Sequence, residues 1–259
     1  MQKDIIAFWG YPRKELINEY KTKYPSATWI DLDIDYNYPN LKLVPDNYCT
    51  IIKNIYNNAY YLKDRIIAIL APIGKDKCDS AFFVSEILKQ DGFKVIQSIF
   101  EDKCPNINDL NLPISQSNLP LKEKINLITK NIYEQKDYSY LEKAKPQFGF
   151  WGVPPNDLSI LDIFPNNTEL FGWTRAVEAG YPGDFELEMY VDENLPTIFF
   201  TQAFCSKTQI ARHLANKYNG LFIDIDTIPT NSIKAKIEAF LRLRWLKDIL
   251  TQEQLGQKS

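Results

Sequence analysis

The chain writes one local pattern twice. Residues 5–16 read IIAFWGYPRKEL and residues 148–158 read FGFWGVPPNDL. Phe8-Trp9-Gly10, Pro12 and Leu16 therefore recur in identical register as Phe150-Trp151-Gly152, Pro154 and Leu158. After a two-residue slip, Pro25 and Thr28, with Trp29 just beyond, answer Pro165 and Thr168, with Trp173 a little later. Each copy reads as an apolar strand, a sharp Gly/Pro turn, a helix, a proline-marked stop and a second strand. Gly10 and Gly152 allow a tight strand exit, and the prolines beyond them suit a first helical turn, where a missing N–H costs nothing.

The remainder of each half keeps the same order. RIIAILAPIGKDKCDS at 65–80 predicts a buried strand, a loop and a helix (SAFFVSEILKQ) that stops at Asp91-Gly92 before the strand FKVIQSIF. TIFFTQAFCSKTQIAR at 197–212 repeats this, with a stop at Asn219-Gly220 and the strand LFIDID. Each half closes on an amphipathic helix. In the first, Leu121, Ile125, Ile128 and Ile132 share one face, entered through Asn118 and Pro120; residues 234–250 are the counterpart. Alternating strands and helices imply parallel pairing with right-handed crossovers, hence an α/β, Rossmann-like, internally duplicated chain. The polar, proline-rich segment 101–120 predicts a long surface connection. A boundary near residue 145 separates a first unit, 1–145, from a second, 146–259, and the pattern leaves open whether they share one continuous sheet.

Composition narrows the partners. A formal net charge of -3 over 259 residues disfavours general nucleic-acid binding, which needs clustered Lys and Arg against phosphate. The longest apolar run, 66–73, is far short of the ~20 residues of a membrane span, and the N-terminal apolar run is too short for a signal peptide. The four cysteines, Cys49, Cys78, Cys104 and Cys205, form no CxxC and read as reduced thiols of a cytoplasmic protein, without disulfide or structural zinc.

In open parallel sheets, ligands bind beyond the carboxyl ends of strands. Those ends carry Trp9, Asp31, Asp33 and Asp35, Lys75 and Asp76, Trp151 and Asn156, Trp173 and Arg175, the loop 202–208, and Asp224 and Asp226. TQAFCSKT at 201–208 has the register of a phosphate loop, G-x-x-x-x-G-K-[ST]. Thr201 and Ser206 stand where the two glycines belong, and side chains there obstruct the backbone curl around phosphate. In the first half Gly74-Lys75 repeats the register, with Ile69 in place of the first glycine and Asp76 where the hydroxyl belongs. A helix N-terminus with Lys207 and Thr208 still attracts an anion, so Gln202, Ser206, Lys207, Thr208 and Lys75 are candidate contacts to a small phosphorylated molecule.

Asp224 and Asp226 alternate with apolar residues, as do Asp31, Asp33 and Asp35; on a strand such aspartates share one face and suit Mg²⁺, although Asp also simply ends strands. Cys205, just ahead of a helix, is a candidate nucleophile, but His213, eight residues on, lies ~12 Å away along one helix and cannot serve it. Trp9 and Trp151 are candidate aromatic walls and Arg175 a rim charge. Three functions follow: binding of a phosphorylated or nucleotide-like ligand, with phosphotransfer or hydrolysis; a non-catalytic binding or assembly scaffold; and a thiol enzyme using Cys205. The missing glycines and the want of a general-base histidine weigh toward the scaffold.

Overall fold

A computed structural model describes residues 4–46, 48–74, 77–202, 204–225 and 229–256. In chain order the elements are β1 (Ile5–Phe8), α1 (Lys14–Lys23), β2 (Thr28–Asp31), α2 (Thr50–Tyr61), β3 (Ile66–Ile73), α3 (Asp79–Gln90), β4 (Val95–Ile99) and α4 (Leu121–Glu134). The second half continues with β5 (Phe148–Gly152), β6 (Thr168–Phe171), α5 (Trp173–Ala179), α6 (Phe185–Met189), β7 (Thr197–Gln202), α7 (Thr208–Lys217), β8 (Leu221–Ile225) and α8 (Asn231–Gly256). The strands form two separate four-stranded sheets, β2-β1-β3-β4 and β6-β5-β7-β8, parallel throughout. The second order repeats the first, so the fold is a duplicated, Rossmann-like α/β unit. No helix among the described residues is long and apolar enough to cross a membrane.

Side-chain alternation along the strands sorts the core into three clusters. Ile6, Phe8, Ala68 and Leu70 from the first sheet join Phe148, Phe150, Leu170, Ile198 and Phe200 from the second in one cluster spanning both halves. The α4 stripe of Leu121, Ile125, Ile128 and Ile132 lies in that same cluster. The intervening residues point outward: Ile5, Ala7, Trp9, Ile69 and Ala71 toward α2 and α3, and Trp151, Phe171 and Phe199 toward α7. The recurring Phe-Trp pair thus has one meaning in both copies. Phe faces the shared core and Trp faces the outer helix layer, each indole N–H donating to a backbone carbonyl (Pro72 at 3.2 Å, Glu188 at 2.7 Å).

Three expectations meet a different structure. The helix after the second FWG is a single 3-10 stretch, Leu158–Ile163, held between prolines and opened by Asp157, whose carboxylate accepts from the Ser159 N–H at 2.9 Å. Pro12 precedes the Arg13 N-cap of α1 and so lies outside the helix rather than in its first turn. The segment 101–120 is not wholly superficial, because Leu112, Ile114, Ser115 and Ser117 are buried. Its backbone reaches the interior because Glu178 accepts the N–H groups of Ile114 (2.7 Å) and Ser115 (2.9 Å).

Candidate ligand cavity between the two sheets

In each sheet the central strand is flanked by strands reached through opposite connections, so the crevices β1/β3 and β5/β7 are topological switch points. Both open on one cavity of about 640 Å³. Trp9 and Gly10 after β1, Asp31 and Asp33 at β2, and Lys77 and Cys78 after β3 line it from the first half. Val153 to Asn156 after β5, Trp173 after β6, and Phe204 to Lys207 after β7 line it from the second. Ile51, Ile52 and Ile55 of α2, with Ile125 and Ile132 of α4, supply an apolar wall.

The acidic turn after β2 is firmly held. Asn54 donates to the Asp33 carbonyl at 2.9 Å, and Asn58 donates to the carbonyls of Leu32 (2.9 Å) and Ile34 (2.7 Å). The Asp33 carboxylate accepts the Gly10 N–H at 2.7 Å, and the Asp31 carboxylate accepts the Asp33 N–H at 3.0 Å. Burial, and then the neighbouring Asp33 charge, raise the Asp31 pKa well above the ordinary carboxylate range. Burial raises Asp33 as well, opposed by Lys77 and the Gly10 N–H. Lys77 acts on both carboxylates and also lies 4.5 Å from the Trp173 ring centroid, so it ties the two halves together inside the cavity. Gly10 has φ +54°, and a Cβ there would run into the Lys77 ammonium.

Of the proposed phosphate-loop residues, Ser206 and Lys207 line the cavity and Gln202 and Thr208 border it. Gln202 is engaged, its side-chain oxygen accepting the Asn156 N–H at 2.9 Å. The Lys207 ammonium pairs with Glu188, which is buried, so an anion at this helix start must compete with a resident carboxylate. Thr201 donates to Asp224 at 3.0 Å and lies 3.4 Å from the Thr208 hydroxyl. Lys75, Asp76 and Asp226 lie outside the described residues. Asp224 is exposed, and among the described residues no three His, Cys, Asp or Glu side chains come together as a metal site.

Trp9 lines the cavity, whereas Trp151 is enclosed between its sheet and α7. Arg175 is not at a rim. It is 1% exposed, packs between Phe171 and Tyr190 at 4.8 Å from each ring, and donates to the carbonyls of Leu187 (3.0 Å) and Tyr190 (2.7 Å). Burial lowers its pKa to about 10. Cys205 does line the cavity, as do Cys49 and Cys78, but burial pushes the Cys49 and Cys205 thiols up and keeps them protonated. His213 is exposed on α7, away from them.

The residues missed from sequence are Lys77, Glu188, Cys49 and Cys78. Each acquires its role only through contacts from distant segments, and no local spacing announces them. The fold and the cavity together define the class: a duplicated α/β protein with two switch points facing one chamber. No protein-family model matches the chain, and no curated protein matches it in sequence.

Proposed function

We propose that this protein binds a small nucleotide-like molecule in the cavity between its two sheets. The observation that carries this reading is the lining itself, drawn from the loops after the first three strands of both sheets. A volume of about 640 Å³ matches a ligand of that size. About twenty residues separate Gly10 from Asp31 at the end of β2, the spacing at which an acidic residue meets ribose hydroxyls in dinucleotide-binding units. Asp31 and Asp33 would take the sugar hydroxyls, and the isoleucine wall would take the base.

Any phosphate belongs at the start of α7, where Lys207 would exchange Glu188 for it. The chamber's own charge favours the uncharged part of the ligand, since even with Asp31 protonated Asp33 and Asp35 match Lys77 and Lys207 on its walls. Asp31, with its raised pKa, is the group suited to proton transfer should a hydrolase or phosphotransferase step take place. Asp224 does not line the cavity and its carboxylate accepts from the Thr201 hydroxyl, so no Mg²⁺ role is assigned to it with this ligand.

The test is calorimetry with nucleosides and their mono-, di- and triphosphates. We expect affinities on the order of micromolar to millimolar, or ~4–8 kcal/mol. Asp33→Asn should weaken every member that binds, while Lys207→Ala should weaken only the phosphorylated ones. Silence across the whole panel would falsify the proposal and leave the scaffold reading in possession.

A further inference from the structure

Buried polar atoms in folded proteins nearly always find a hydrogen-bond partner. Among the described residues one exception belongs to a side chain that lines the cavity: the indole Nε1 of Trp173 is buried and donates to nothing. The residue is 6% exposed. The contrast with Trp9 and Trp151 is direct, since both of those indoles are bonded to carbonyls.

The position of Trp173 is specified by the backbone before it. Gly172 has φ +74°, and a Cβ there would lie 3.0 Å from the Gly152 nitrogen, so only glycine lets the chain leave β6 this close to β5. Lys77 then lies over the ring, drawing π-density toward its charge and making the indole N–H a better donor.

We propose that the Trp173 N–H is the donor that sets specificity in this cavity, and that it takes an uncharged acceptor of the ligand, a carbonyl oxygen or ring nitrogen of a heterocycle. This rests on the cavity being the site of a nucleotide-like ligand, and it names the part of that ligand the seam between the halves recognises. The acceptor is uncharged because Asp33 and Asp35 share the cavity lining with Lys77, so no positive charge is in excess there for a phosphate or carboxylate. A flat heterocycle also suits the wall of Ile52, Ile55 and Ile125 beside it.

The experiment follows the five indole N–H resonances of ¹⁵N-tryptophan-labelled protein. Adenosine, guanosine, cytidine, uridine and inorganic phosphate are added in turn. We expect at least one nucleoside to bind and to move the Trp173 resonance downfield, with phosphate leaving it in place. Trp173→Phe, which keeps an apolar ring, should bind the same nucleoside about tenfold more weakly, the loss of one hydrogen bond. The wild-type resonance, assigned through its own backbone, decides the matter even if that variant does not fold. A nucleoside that binds while the Trp173 resonance stays still overturns this inference and spares the cavity reading. A shift produced by inorganic phosphate overturns the uncharged acceptor. No binding by any of the four nucleosides overturns both.

Discussion

Lys124 carries an ammonium into the interior of α4, where it donates to the Thr168 carbonyl at 2.6 Å and the Ser115 carbonyl at 3.5 Å. Burial lowers its pKa to about 8, against the opposing charges of Glu169 and Glu178. An unfolded lysine titrates near pH ~10.4, so between about pH 8 and 10 this group makes stability rise with pH, while the thiols of Cys49, Cys104 and Cys205, raised by burial, pull stability down across the same window. Lys124→Met should remove the lysine's share, so the stability difference between wild type and variant should shift in favour of the wild type as pH rises through the window, checked by urea midpoints at several pH values. Tyr11 and Tyr36 do not confuse the result. Their pKa values are raised to about 12, so they lower stability only above the ordinary tyrosine range. Gly10 supplies a second test at this scale. Gly10→Ala must hold a left-handed φ and displace Lys77, so we expect a loss of ~1–2 kcal/mol in chemical denaturation together with weaker nucleoside binding.

Helix α4 is the element on which both halves depend. Its stripe packs in the core cluster shared by the two sheets, so Ile128→Ala should cost ~2–5 kcal/mol in chemical denaturation. That stripe was legible from spacing alone, as were the succession of strands and helices in the β1–β4 half and the chain stops at Gly92 and Asn219, both of which adopt positive φ. The two FWG glycines looked alike and are not. Gly10 is needed for its left-handed backbone, whereas Gly152 is needed because a Cβ would lie 2.6 Å from the Phe200 carbonyl oxygen. The short 3-10 stretch at Leu158–Ile163 escaped the reading because a repeat predicts what is shared, and divergence in one copy leaves no periodic trace. The acidic turn was visible as Asp31, Asp33 and Asp35, while its partner Lys77 was passed over in favour of Lys75, two residues earlier in the same loop, which fitted the phosphate-loop register. Arg175 was misjudged for the same reason, since a lone arginine beside a tryptophan does not reveal that Phe171 and Tyr190 enclose it.

At the scale of the whole molecule, the joint cluster predicts that the two units unfold together. Fragments 1–145 and 146–259, produced alone, should lack the sharp unfolding transition that the full chain shows by calorimetry, because each would bare its side of that cluster. A cooperative transition in either fragment would refute this. The cavity makes a complementary prediction for the thiols. A bound nucleoside should slow alkylation of Cys49, Cys78 and Cys205 and leave Cys104 unchanged, read by mass spectrometry of the labelled peptides. The shared core also bears on the history of the chain. A lone ancestral unit would have needed a twin to cover that face, and in a pair of identical partners both lips of the chamber would have been the same. Two copies within a single chain are under no such constraint, and each lip is free to differ. Asp33 on one lip stands where Trp173 stands on the other, two residues beyond β2 and β6, so the chamber is suited to a molecule whose two ends differ.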